Sequence, residues 1–248
     1  MDFDALLESS ELGLGDREGG EVVTQSMRDL KEAPRFLSEP LLAAYVQGGA
    51  MVHRIKAKGG WPAVEALYGD PPRSSEQVLH PEKLGKDLPV DVRFPSLPMR
   101  LPTGWTLKEE DVLGEIGIRV LLENWRDPEW PDVAGVHQAA AGWGGDRYGY
   151  FTGPGGKGEV LIWRTVWDTA EDAQEFSLAY CESLRVRFPK MKSAPVTRGA
   201  SDVKTRAWEV EPGRVLSLAV RDREVDVIDA TDRSLLDVLR DVAGDGEH

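Results

Sequence analysis

The chain has 248 residues, a formal net charge of -13 and a sequence pI near 4.8. Such an acidic balance disfavours nucleic acid and anionic membrane surfaces as partners, because both need a basic contact surface. Hydrophobic residues make up 41% and charged residues 29% of the sequence, a composition that excludes global disorder and is typical of a globular protein.

The first third of the sequence has the apolar spacing of helices. A helix is predicted over 39–58, with Ser38 as its N-cap and a stop at Gly59-Gly60. A second short helix should cover 61–68. Ser74 and Gln77 have the spacing of a capping box, which predicts a further helix that ends before Pro81.

The middle of the chain is mixed in character. Proline-rich residues 86–104 predict an extended connection with an edge strand over 90–94. The pattern then predicts a strand over 105–112 and a largely apolar central helix over 113–125. Another helix is predicted over 131–141 and a glycine-rich turn over 142–146.

From residue 147 the pattern alternates between strands and helices. Two hairpins are predicted, one formed by 147–152 with 159–167 and one by 205–210 with 214–220. Asp168 and Glu171 should open the helix that separates them. The last predicted elements are a strand and a helix, at 225–228 and 235–242.

These elements predict an α+β fold in two parts. Residues 1–145 should be mostly helical, and residues 146–248 should form an α+β subdomain packed against them. In that subdomain a small antiparallel sheet is covered by helices.

Cysteine content and the start of the sequence limit the class of protein. The single cysteine, Cys181, excludes an internal disulfide and any metal site built from several cysteines. The acidic start MDFDALLESS lacks the features of a secretory signal, and no stretch reaches the ~18 apolar residues of a membrane helix. We therefore predict a cytoplasmic protein that contacts neither nucleic acid nor a membrane.

Histidines provide no recognisable catalytic motif. His53, His80, His137 and His248 contain no pair spaced four apart, so the His-Glu-x-x-His motif of helical zinc peptidases does not occur. A metal site formed in space by the first three histidines and a carboxylate is one possibility. The simpler interpretation is that His53 lies on a helix surface and that His80 packs beside Pro81. We predict no cofactor.

Residues 70–83 form the most distinctive stretch of the sequence. Arg73, Glu76, His80 and Lys83 are crowded there between prolines. Such a group can form a polar network that fixes a loop, or it can form a binding site. We take these four side chains as the candidate binding or structural hub.

Tryptophans are concentrated between positions 125 and 167. Large aromatic side chains dominate protein cores and also the centres of interfaces. Trp130 and Trp143 lie in turn-rich sequence, so we predict that both are partly exposed and contact a partner.

Several motifs resemble a family of zinc-peptidase-like proteins from bacteria and archaea. The motifs are PPRSSEQVLHPEK at 71–83, LGE at 113–115, AAGWGGDRY at 140–148 and WRTVWD at 163–168, and the resemblance covers about residues 18–190. Members of the peptidase type have the paired histidines and a downstream glutamate ligand. Glu18 matches that glutamate, and without the histidines the resemblance implies a vestigial ligand and no working zinc site.

A peptidase-like scaffold without its metal-binding helix implies a binding role. Size and composition also resemble a cytoplasmic inhibitory partner of a secreted subtilisin-like protease from myxobacteria. The first hypothesis is therefore a non-catalytic regulatory protein whose partner is another protein, a subtilisin-like protease. The alternatives are a metal-dependent hydrolase using Glu18, Glu76, His80 or His53, and a small-molecule binder using the α+β half.

Overall fold

A seven-stranded sheet organises the protein. The computed structural model describes residues 32–94, 100–126, 133–196 and 203–239. The strands are β1 (Thr106–Asp111), β2 (Trp143–Thr152), β3 (Glu159–Trp167), β4 (Lys192–Ser193), β5 (Lys204–Glu211), β6 (Arg214–Arg221) and β7 (Glu224–Ala230). They lie in the order β1-β2-β3-β7-β6-β5-β4, and every neighbouring pair is antiparallel.

Six helices accompany the sheet in the described part of the chain. They are α1 (Arg35–Ala66), α2 (Ser75–Leu79), α3 (Gly114–Asn124), α4 (Val133–Ala140), α5 (Ala170–Arg187) and α6 (Arg233–Leu239). None of the helices in these ranges is both long and apolar enough to cross a membrane. The predicted α+β class and its antiparallel sheet are confirmed. The sheet also includes β1, which lies within the segment predicted to be mostly helical.

Helix α1 is interrupted by a glycine. Gly60 has φ +69°, a left-handed conformation that favours glycine, and divides α1 into a long and a short helical part. The predicted stop at Gly59-Gly60 is therefore confirmed. The predicted N-cap is wrong, because the helix begins at Arg35. Ser38 lies inside the helix, is buried, and donates through Oγ to the Pro34 carbonyl at 3.5 Å.

Three other local predictions are wrong. Residues 90–94 form no strand, although the Val90 N–H donates to the Gly144 carbonyl at 2.7 Å. The predicted turn at 142–146 is mostly strand, since β2 begins at Trp143. Helix α5 is capped by Thr169 in a capping box with Asp172, one residue after the predicted start.

Both faces of the sheet carry a hydrophobic core. One core is formed by α3, α4 and α5 against β3, β6 and β7, and its centre is an aromatic group on β3 and α5. The other core packs α6 against the opposite side of the same strands, with Ile162 and Ile228 buried. Phe176 of α5 is fully buried, and its ring centroid lies 4.7 Å from that of Trp167 and 5.5 Å from that of Trp163.

We expect Phe176→Ala to lower the free energy of unfolding by about 4 kcal/mol, because it removes a fully buried ring and leaves a cavity between two tryptophans. Urea denaturation measures this change. Leu178→Ala on the same helix is the control, since Leu178 is 48% exposed and its loss should cost no more than about 0.5 kcal/mol. Equal losses in the two variants would contradict the assigned core.

Candidate functional site

The carboxylate of Asp146 accepts four hydrogen bonds in the protein interior. Its Oδ1 accepts from the backbone N–H of Gly114 and the indole N–H of Trp143, both at 2.9 Å. Its Oδ2 accepts from the backbone N–H of Leu113 at 3.0 Å and the indole N–H of Trp163 at 2.9 Å. Asp146 is only 1% exposed, so these donors replace the water that a charged carboxylate requires.

These four bonds fasten the start of α3 to the sheet. Two donors are backbone groups at the N-terminus of α3, where the helix dipole favours a negative charge. Gly114 there has φ +67°, and a Cβ on it would lie 2.6 Å from Ser75 Oγ, so α2 also packs closely at this point. The α2 hydroxyl of Ser75 in turn accepts from the backbone N–H of Ile116 at 3.3 Å.

The tryptophan predictions have different outcomes. Trp143 is 2% exposed and its indole N–H is used by Asp146, so the prediction of a partly exposed partner contact is wrong for it. Trp130 lies outside the described residues.

Lys83 lies at the centre of three carboxylates, which we call the Lys83 cluster. Its ammonium is 2.6 Å from Glu76 Oε1, 2.7 Å from Asp168 Oδ2 and 3.0 Å from Asp87 Oδ2. Glu76 is 2% exposed, whereas the other members are partly exposed. The cluster joins the segment after α2 to the loop between β3 and α5.

Charge in the Lys83 cluster is unbalanced, because one ammonium faces three carboxylates. Burial raises the pKa of Glu76 to about 7, although Lys83 lowers it and thereby offsets part of the effect. Burial lowers the pKa of Lys83, but the hydrogen bonds that its ammonium donates to Asp168, Glu76 and Asp87 outweigh this effect, so the pKa is raised. The shared ammonium therefore stays charged, and Glu76 is the carboxylate that takes up a proton near neutral pH.

The same three carboxylates have the spacing of a metal site. One oxygen from each of Glu76, Asp87 and Asp168 lies within 4.8 Å of the others. However, the Lys83 ammonium is within 3.0 Å of all three and takes the position of a cation. A metal ion there would have to displace a lysine that is already paired with all three carboxylates.

Histidines are not gathered into a ligand set. Over the ranges that the structure describes, the one group of three or more possible ligands is that of the Lys83 cluster, and it contains no histidine. His53 is exposed on α1, and His137 Nε2 lies 2.7 Å from Glu123. The predicted possibility of a joint site of His53, His80 and His137 is therefore wrong for this structure. Glu18 lies outside the described residues.

His80 is held by a buried carboxylate of α3. Its Nε2 is 3.1 Å from Oε1 of Glu115, which is fully buried and also accepts from Arg119. The other ring nitrogen lies 3.8 Å from Glu82. Because both nitrogens face carboxylates, the contacts of His80 suit a structural group that joins α3 to the segment after α2.

Arg73 differs from the other three residues of the predicted hub. Its side chain is exposed and 3.5 Å from Asp70, so it does not enter the Lys83 cluster. Its backbone N–H donates to Gln77 Oε1 at 2.7 Å, and the Gln77 amide donates to the Asp87 carbonyl at 2.5 Å. Of the predicted hub, Glu76 and Lys83 contact each other directly, and His80 contacts α3.

Sequence reasoning missed the partners of the hub. They are Asp87, Glu115 and Asp168. The buried carboxylate of Asp146, which contacts none of the hub residues, was missed as well. Glu115, Asp146 and Asp168 lie inside the short motifs at 113–115, 140–148 and 163–168. The structure brings these three motifs to the same region as residues 71–83. The presence of all four motifs in one sequence was therefore the signal from which the site could have been predicted.

A small cleft lies in the α+β half, on the sheet beside the end of α5. Its volume is about 160 Å³, below the usual range of about 300–1,000 Å³ for small-molecule sites. Two of the charged groups in it are paired with each other, since Arg214 donates through two nitrogens to Asp229 at 2.7 Å each. The cleft therefore gives little support to a small-molecule binder.

Together, these features define an α+β protein in which buried polar side chains fasten helices to one antiparallel sheet. The chain belongs to the family described as "Domain of unknown function (DUF8575)", whose sequence profile matches residues 102–240. None of the curated proteins compared with the chain matches it. Among solved structures, the extracellular domain of PknH from Mycobacterium tuberculosis is similar, with 13% identity and a TM-score of 0.32. The similarity covers 66% of this chain and 96% of that one.

We expect Asp146→Asn to lower the free energy of unfolding by about 3 kcal/mol, because an amide has one acceptor oxygen and leaves buried N–H groups unpaired. Denaturant unfolding followed by tryptophan fluorescence measures the loss. The matched control is Asp70→Asn, an exposed carboxylate whose change should cost no more than about 0.5 kcal/mol. A loss no larger than that of the control would show that Asp146 does not hold α3 on the sheet.

We expect Glu76→Gln to alter how stability depends on pH. The folded-state pKa of Glu76 is about 7 and the unfolded value is about 4.5, so the folded wild type binds the proton more tightly. Its stability should fall as pH rises from 4.5 to 7, by up to about 3 kcal/mol relative to the Gln variant. Unfolding curves of both proteins at pH 5, 6, 7 and 8 test this, and parallel pH profiles would disprove the assignment.

Proposed function

We propose that this protein is a non-catalytic, cytoplasmic binding protein that holds a partner protease inactive, as an inhibitor or an escort. A subtilisin-like protease is the partner class that the sequence resemblance implies, and the peptidase-like character of the helical half is part of the same proposal. The observation that carries it is a row of exposed apolar side chains on α1, formed by Leu37, Leu41 and Tyr45.

The exposure of this row is unusual for apolar side chains. Leu37 is 61%, Leu41 59% and Tyr45 81% exposed. Spacing of four residues places all three on one side of the helix, where they form a continuous strip. Exposed strips of large apolar groups commonly mark protein–protein contacts, and helix-in-groove binding uses side chains at this spacing.

The contacts of the buried and partly buried polar side chains support a binding role more than a catalytic one. Glu76 and Asp168 are paired with Lys83, His80 contacts Glu115, and Asp146 accepts hydrogen bonds from four donors. Each of these groups joins one element of the fold to another. These contacts give the four side chains a structural role, and the exposed row on α1 is a separate feature that suits contact with a partner.

A metal-dependent hydrolase is the second candidate. It is favoured by the spacing of the three carboxylates in the Lys83 cluster. In that case zinc would displace the lysine ammonium, and chelation would lower the melting temperature of the purified protein, because a bound metal stabilises the folded state. The binding proposal expects no effect of chelation.

We expect Leu41→Asp with Tyr45→Asp to reduce recovery of the partner protease at least tenfold. Tagged wild type and variant are recovered from the native cytoplasm, and the protease and zinc content are measured in the same samples. The control is Leu178→Asp, which places the same charge at a 48% exposed position on α5. Thermal melts establish that all three proteins are folded.

Two results would overturn the proposal. Equal recovery of the protease by wild type and both variants would show that α1 is not the contact surface. Stoichiometric zinc with no protein partner would favour the hydrolase.

A further inference from the structure

The small cleft beside the end of α5 lies on a row of the sheet that this helix leaves partly open. Tyr150 of β2, Leu161 of β3 and Asp229 of β7 are cross-strand neighbours in that row, and all three line the cleft. Trp163, in the next row of β3, is buried against α5. Helix α5 ends at Arg187, which lines the cleft as well.

Arg187 brings a cation without a carboxylate partner into the cleft. Its guanidinium lies 4.8 Å from the ring centroid of Phe188 and 5.6 Å from that of Trp125, within the range of cation–π contacts. Over the ranges that the structure describes, no carboxylate oxygen lies within 4 Å of it. The two rings hold the guanidinium in place, and its N–H groups can bind a carboxylate through two parallel hydrogen bonds.

Glu159 adds a carboxylate without a cation partner to the same cleft. It is exposed at the start of β3, two residues before Leu161, so both side chains lie on the same side of the sheet. In the part of the chain that the structure covers, no lysine or arginine nitrogen lies within 4 Å of its oxygens. Asp229, in contrast, is held by two bonds from Arg214. The cleft therefore offers a cation, a hydrogen-bond acceptor and the apolar side chain of Leu161.

These three groups match the C-terminal residue of a polypeptide. Such a residue has a carboxylate for Arg187, an adjacent backbone N–H for Glu159 and a side chain that can pack on Leu161. At about 30 Å³ for each water molecule, the volume of about 160 Å³ is that of about five waters, which suits one small residue and not a cofactor. A carboxylate carries a single negative charge, so it suits one unpaired cation better than a phosphate with nearly two.

The cleft suits the end of a chain better than a free small molecule. Sites for free small molecules usually enclose most of the surface of the ligand. Here Arg187 and Glu159 are exposed, so the preceding residues of a bound chain can extend into solvent.

We propose that this cleft binds the C-terminal residue of a partner polypeptide, a residue with a small apolar side chain such as valine. Arg187 binds the terminal carboxylate, Glu159 accepts from the backbone N–H of that residue, and the side chain packs on Leu161. The site does not include the exposed row on α1, so it does not rest on the proposed protease binding.

An NMR titration of the ¹⁵N-labelled full chain with short peptides tests this proposal. The first probe is acetyl-Gly-Val, which has a free carboxylate, and the second is its C-terminal amide. Acetyl-Gly-Glu amide represents an acidic residue inside a chain, and free valine represents a small molecule. Backbone signals of residues 159–161 and 229–231 and the Nε–H signal of Arg187 report on the cleft.

We expect acetyl-Gly-Val to shift these signals and to bind at least fivefold more tightly than its amide, which has no charge for Arg187. Arg187→Gln should weaken binding of acetyl-Gly-Val at least fivefold. Arg185→Gln is the matched control and should bind like the wild type, because Arg185 is exposed on the same turn of α5, is paired with Glu182 and does not line the cleft. Thermal melts establish that both variants are folded.

Other outcomes would contradict this assignment. Absence of shifts in the cleft signals at millimolar acetyl-Gly-Val would show that the cleft does not bind a chain terminus. Equal binding of the peptide and its amide, or unchanged binding by Arg187→Gln, would show that Arg187 does not bind the carboxylate. Tighter binding of acetyl-Gly-Glu amide would assign the cleft to internal acidic residues, and tighter binding of free valine would assign it to a free amino acid.

Discussion

The arrangement of the protein depends on one buried carboxylate, that of Asp146. A charge in the interior is tolerated only when enough donors surround it, and here two indoles and two backbone amides supply them. These donors come from β2, β3 and the start of α3, so a single side chain fixes the position of a helix on a sheet. Once α3 is fixed, Glu115 lies where His80 reaches it, and the segment after α2 is drawn against the sheet.

The Lys83 cluster extends the same arrangement to the loop before α5. The cluster has the carboxylate spacing of a metal site, because oxygens of three carboxylates lie close together. The lysine among them changes that interpretation, since a partly buried ion-pair network can orient segments of a fold without adding much stability. The buried polar side chains lie where elements of the fold join, whereas Leu37, Leu41 and Tyr45 of α1 are exposed.

Local patterns predicted much of the fold, because periodicity and capping act over a few residues. The helix over 113–125 and both hairpins follow from such patterns. The turn predicted at 142–146 is wrong from Trp143 onward, where β2 begins. Gly145 is instead needed for close approach, since a Cβ there would lie 2.6 Å from the Val90 carbonyl oxygen. The site was only partly predictable, because the Lys83–Asp168 contact joins residues 85 positions apart, and no local pattern encodes such a pairing.

The position of β7 in the sheet determines the order in which the chain can assemble. Strand β3 pairs with β7, and the Thr165 hydroxyl donates to the carbonyl of Val225, which is 60 positions further along the chain. The β2–β3 and β5–β6–β7 units are each local and can form early, whereas their union requires closure of a long loop containing α5. The rate of folding should therefore be limited by the pairing of β3 with β7, which joins the two smaller sheets. Helix α5 packs across the junction between them.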